Sequence, residues 1–244
     1  MSSLAKLIQT EARLYARDRT SLILGLTLPT VVLIALGIIP ELRESSEDFG
    51  GVRFIDYFAP SLLVVSVGVI GLTNLPVIMA TYRERGVLRR MRTTPVHPGK
   101  LLFAQLLVNL VAALVSALLL MAVARIAYDV PMPEHPLGFA IAFVLGMAAV
   151  FSLGMLVAAV APTGRTATGV AMVIFMLIMF FGGVYLPRFM LPEAVATIGD
   201  YTPPGVQALL DSWSGTAPSA VQLLVMGATA LVVGALSARL FKWE

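Results

Sequence analysis

The chain has 244 residues, 58% of them hydrophobic and 13% charged, with a mean hydropathy of +0.90. Soluble globular domains run about 45–50% apolar and about 25% charged, so this composition excludes a soluble globular protein and indicates an all-α polytopic membrane protein. With no cysteine there are no disulfides, thiol nucleophiles or Cys-based metal sites, and a net charge of +3 reads as a topology signal rather than a nucleic-acid footprint.

In chain order, residues 1–20 form a basic amphipathic segment. Leu4, Leu7, Ile8, Leu14 and Tyr15 fall near one helical face, and Lys6, Gln9, Arg13 and Arg17 fall away from it. That pattern predicts a helix lying in the headgroup plane. The segment does not read as a secretory signal, because the first apolar span begins only near Ser21 and no small-residue cleavage site follows. A spanning helix needs roughly 20 apolar residues. Six stretches qualify: 21–40, 57–81, 101–128, 136–161, 166–186 and 218–241. Pro76 is expected to kink the second.

Lys and Arg set the orientation. The N-terminus, the 82–100 loop, Arg165 and the C-terminal Arg239 and Lys242 share one side. Only Arg43, Arg53, Arg125 and Arg188 lie on the other. This bias predicts cytoplasmic termini and a cytoplasmic 82–100 loop, in a plasma (inner) membrane. The 187–217 segment mixes apolar patches with Pro, Gly and acids, and two short helices fit it, at 192–198 and 204–213. Each has Pro near its first turn, where the missing N–H costs nothing. Neither is long enough to span, so each either dips into the outer leaflet under protein cover or lies in an ordinary external loop.

The chemistry of a catalyst or cofactor binder is missing. TPVHPGKL (94–101) has Gly99 and Lys100, but Thr94 stands where a phosphate loop needs Gly and Leu101 where it needs Ser or Thr. His97 and His135 fall on opposite sides of the predicted membrane and cannot share a metal. Asp200, Tyr201 and Asp211 read as solvated loop. The chain is therefore expected not to be an enzyme and to bind no metal, ATP or other cofactor itself. No ionisable residue lies near the middle of a span, which counts against ion-coupled transport. The polar groups there are milder: Ser66, Thr73, Asn74, Ser116 and Ser152, with Gln105 and Asn109 nearer the inner end. Asn74 either lines a path or bonds between helices. In the fifth span Phe175, Met176, Met179, Phe180 and Tyr185 make a bulky, polarizable surface suited to apolar ligands or to plain packing.

The loop YRERGVLRRMRTTPVHPGK (82–100) carries six of the 17 basic residues and one acid, Glu84. Val87, Leu88 and Met91 fit one face of a short helix, and Arg85, Arg89 and Arg92 another, before a proline-bounded stop. Such charges touch anionic lipid, but the amphipathic register also suits a protein groove. The segment YRERGVLRRMRTTPVHPGKLLFAQ resembles the E-R-G-x-L…T/S-P loop of permease subunits in type-2 ABC exporters. The likeness extends along the chain, through FIDYFAPSLL and FFGGVYLP…LPEAV…YTPPGVQALL. It implies one transmembrane domain over 1–244, with a coupling helix in 82–100 and short re-entrant helices in 187–217. It also implies ATPase-coupling roles for Glu84, Arg85, Gly86, Leu88, Arg89, Arg92 and Pro95. The implied assembly has two permeases, the second a copy (a homodimer) or a paralogue. Two separate ABC-type ATPases hold ATP and Mg. The cargo expected is apolar or amphipathic, drug-like or lipid. A lipid-linked glycan exporter and a non-transporting scaffold or immunity protein are the alternatives.

Overall fold

The computed structural model describes residues 3–46, 51–91, 99–185 and 190–241, and the chain is all-α. Helix α1 (Ser3–Arg17) precedes six helices long and apolar enough to cross a membrane: α2 (Arg19–Gly37), α3 (Phe54–Glu84), α5 (Gly99–Tyr128), α6 (Pro136–Val160), α7 (Gly164–Phe181) and α10 (Ala220–Leu240). Between them lie the short helices α4 (Val87–Met91), α8 (Glu193–Asp200) and α9 (Val206–Trp213). The expected spans are all present. The fifth stops earlier than expected, at Phe181, where Gly183 turns the chain at φ +71°.

The central pair is α3 and α6, the most buried of the six. Proline shapes both α2 and α3. Each helix opens into a wide π-type turn, Leu22–Thr27 and Val69–Asn74, and resumes with Pro29 and Pro76 in the first turn of the next segment. The loosened carbonyls find donors, as a membrane interior demands. Thr27 and Thr73 donate to the Ile23 and Val69 carbonyls at 2.9 and 2.6 Å. Ser116 of α5 reaches the Gly25 and Leu26 carbonyls at 3.2 and 3.0 Å, and Ser66 of α3 donates to Ser116 at 2.8 Å. Gly25 is the residue four before Pro29, whose ring nitrogen cannot donate to it. Pro76, where a kink was expected, thus follows a wide turn like the one before Pro29.

Small residues let the helices close on one another. Gly154 of α6 lies against the backbone carbonyl of Gly71, and Gly146 against that of Pro204. Gly146 is ten residues in from Pro136, a depth of about 15 Å at 1.5 Å per residue. From there α9 returns outward until the Ser212 carbonyl accepts from His135 N–H at 3.0 Å. Helix α7, with 18 residues against 25 for α6, is about 10 Å the shorter. Its end is covered by Gly199 of α8 and Val206 of α9.

Candidate functional site

At the end of the bundle that carries the basic loop, α3 terminates in Thr81–Tyr82–Arg83–Glu84, and each of the last two side chains grips another span. The Arg83 guanidinium donates to the carbonyls of Ala159, at 3.1 Å, and Ala161, at the last turn of α6. The Glu84 carboxylate accepts from the backbone N–H of Gly164 at 2.9 Å, the first residue of α7. A cation thus meets the orphan carbonyls of one helix end and an anion the orphan amides of the next, both favoured by the helix dipoles. Thr163 caps the same α7 terminus by accepting from Thr166 N–H at 3.1 Å. The turn between α6 and α7 is therefore clamped by two adjacent residues of α3. Arg53 does a parallel job at the opposite end of α3. It pairs with Asp56 at 2.7 Å and donates to the Tyr128 and Asp129 carbonyls at the end of α5. The Asp56 hydrogen bond holds the Arg53 guanidinium pKa above its ordinary value.

The basic loop differs from a continuous amphipathic helix. Gly86 sits at φ +67°, a conformation that ends α3 and starts the five-residue α4 in a new direction. Arg85 therefore closes α3, and does not share a helical face with Arg89. Leu88 is 0% exposed and packs into the chain's own core, with Val87 and Met91 against it. The apolar face of α4 is spent on this chain, and Arg85, Arg89 and Arg90 stay exposed. Arg92 and Pro95 lie outside the described residues.

A polar chain links this end to α1. Asn74 accepts from Ser21 at 2.9 Å and donates to Asn109 at 3.1 Å; Asn109, 0% exposed, donates on to Gln105 at 3.1 Å. Gln105 and Tyr82 both donate to Glu11 Oε2, Tyr82 at 2.9 Å. Asp18 accepts from Ser21 and caps the start of α2, and the Ser21 hydroxyl bond holds its carboxyl below the usual range. Asn74 is thus tied between helices.

Glu11 was legible, since it falls on the apolar stripe of α1 four residues after Leu7, and it is only 5% exposed. Burial raises its carboxyl above the ordinary 4.5, against the pull of Tyr82 and Gln105. A raised acid favours the seated helix when protonated. That contribution is full below pH 4.5 and is lost as pH rises through the raised value. Glu11→Gln keeps an acceptor and cannot ionise. Its thermal unfolding midpoint should lie above the native chain's at neutral pH, and the gap should close below pH 4.5.

A family model described as ABC-2 type transporter matches residues 3–204. The chain belongs to the ABC-2 type transporter family. No curated protein matches it. This ABC-2 permease is a membrane subunit of an ABC-type transporter, a family that works with an ABC ATPase. Its fifth-span residues divide between two surfaces. Met179, 0% exposed, and Phe175 pack over Gly68 of α3, where an added Cβ would meet both at 2.9 Å. Met176, Phe180 and Tyr185 remain exposed.

Proposed function

We propose that the chain is the permease half of an ATP-driven exporter that moves an apolar or amphipathic molecule, drug-like or lipid, out of the cytoplasm or inner leaflet. Both termini and the 82–100 loop are cytoplasmic in this reading, in the plasma membrane, and the complex holds two ATPases and two permeases. The partner binds ATP and Mg and hydrolyses the nucleotide; this chain, without a phosphate loop, does not.

One observation carries the reading: α4 is rooted in its own bundle through Leu88, turns Arg89 and Arg90 outward, and follows within three residues of the Arg83–Glu84 clamp on two further spans. A push on α4 reaches α3 through its end, and α6 and α7 through the clamp. Because the apolar face is already seated, docking would rest on the exposed guanidiniums, which suit carboxylates of a partner groove. Replacing both Arg89 and Arg90 by Glu should leave the chain folded and cut copurification of its ABC ATPase partner at least tenfold. Unchanged copurification would leave α4 a lipid-facing anchor and overturn the docking.

A further inference from the structure

The wide turns of α2 and α3 are neighbours. Gly25 in the first lies so close to Ile70 in the second that an added Cβ would meet Ile70 Cγ1 at 3.1 Å. Each turn runs into a Leu-Pro step, Leu28–Pro29 and Leu75–Pro76. Turns of this type gather at functional sites, and a proline beside one makes it a place where a helix bends. Two bends in contact pass a change in one to the other.

A single side chain holds both. Ser116 of α5, 0% exposed, accepts from Ser66 of α3 at 2.8 Å and reaches the Gly25 and Leu26 carbonyls of α2 at 3.2 and 3.0 Å. A serine has one O–H proton, so the two carbonyls share one donor. Thr30, four residues beyond Leu26, is only 5% exposed, and its hydroxyl has no partner. A threonine inside a helix can donate to the carbonyl four residues back. Thr27, Thr168 and Thr229 do so, at 2.9, 3.0 and 2.8 Å. The corresponding carbonyl for Thr30 is that of Leu26, which Ser116 occupies. A buried donor without an acceptor costs free energy, so this bend of α2 carries a cost that another bend would remove.

We propose that α2 has two bends about its wide turn, and that the Leu26 carbonyl changes hands between them. Ser116 holds it in the bend described here, and Thr30 takes it in the other. Released, Ser116 has the Ala112 carbonyl of its own helix, four residues back, to bond. The acceptor then left over is the Gly25 carbonyl, which Pro29 cannot serve. Each bend thus leaves one buried polar group unpaired, Thr30 in the first and Gly25 in the second, which keeps the two close in free energy. When Ser116 lets go, the outer half of α2 swings about Leu22–Thr27, and α3 follows through Ile70 against Gly25. That the exchange serves transport rests on the export reading; the two bends do not.

The test uses the purified full chain in lipid nanodiscs, without an ATPase. The chain has no cysteine of its own, so Thr20→Cys and Ile38→Cys, both at exposed positions, carry spin labels at the two ends of α2. They stand about 27 Å apart along a straight helix, and pulsed electron spin resonance reads the distance. The native chain should show one main distance and a minor second one. Ser116→Ala should raise the share of the second at least fivefold, and Thr30→Val added to it should return that share to the native level or below. Ser61→Ala, which deletes another buried hydroxyl without a partner, in α3 and outside its wide turn, should change nothing. One distance common to all variants, or a second distance that survives Thr30→Val, would overturn the exchange. Should Ser116→Ala fail to fold, Thr30→Val alone decides. It removes an unpaired donor, so it should raise the thermal midpoint and narrow the main distance. A lowered midpoint would mean that the Thr30 hydroxyl is bonded in the first bend, which overturns the proposal equally. In the complete complex Thr30→Val should slow transport at least tenfold. Full transport alongside the expected distances would sink only the link to export.

Discussion

Gly154→Ala is expected to destabilise the chain by about 3 kcal/mol, at the upper end of what overpacking costs. A methyl group on Gly154 would overlap the carbonyl oxygen of Gly71. That obstacle is backbone, so no rotamer change relieves it. Gly71 lies inside the π-type turn of α3, and the partner helix α6 also bears on α10, α9 and the clamp at Ala159 and Ala161. Separation at this point would therefore loosen the central pair as a whole. Gly169→Ala is the matched control. It makes the same change in another spanning helix, but its added Cβ would meet nothing within 4 Å. It should be neutral or stabilise by up to about 1 kcal/mol through helix propensity. Thermal unfolding in detergent distinguishes the two. Equal midpoints would mean that α3 and α6 are not in contact at Gly71.

The six spans could be read from the chain because a bilayer tolerates only long apolar stretches there, and length with hydropathy is a one-dimensional signal. The order of α8 and α9 was legible for a similar reason, since proline marks where short helices start. What escaped was pairwise. Arg83 and Glu84 look like the flank of a span, and nothing in YRER names the turn at 161–164 as their partner. The wide turn before Pro29 was missed although Pro76 was noticed, yet both follow a Gly-Leu-Thr run. The repeated pattern was the available signal. Leu88 was read as an anchor for a partner because periodicity reports that a face is apolar and not which surface covers it. Gly86 cut the expected Arg85–Arg89–Arg92 stripe for a backbone reason, a positive φ that glycine permits and composition does not announce.

Arg83→Ala is expected to abolish coupled transport while sparing partner docking. The guanidinium meets two carbonyls, Ala159 and Ala161, at the end of α6. Hydrogen bonds from a charged donor contribute about 1.5–3 kcal/mol, and a cation at a helix C-terminus adds up to about 2 kcal/mol. Truncation strands those carbonyls and unpins α6 from α3. Under the proposed mechanism a push on α4 would then tilt α3 alone, and the ATPase would turn over without moving α6. The expected readout is normal copurification of the partner, ATPase activity near native, and transport reduced at least tenfold. Arg83→Lys should not restore transport, because one ammonium cannot reproduce a planar fork that spans two carbonyls. Glu84→Gln should fall between Arg83→Ala and the native chain, since its Oε1 can still accept from Gly164 N–H but brings no charge to the start of α7. The Arg89 and Arg90 double variant fails at the earlier step, docking. If Arg83→Ala instead loses copurification together with transport, the clamp positions the docking surface and is not a transmission between spans. If transport survives intact, α6 and α7 follow α3 through packing alone, with Gly154 against Gly71 as the contact that carries the motion.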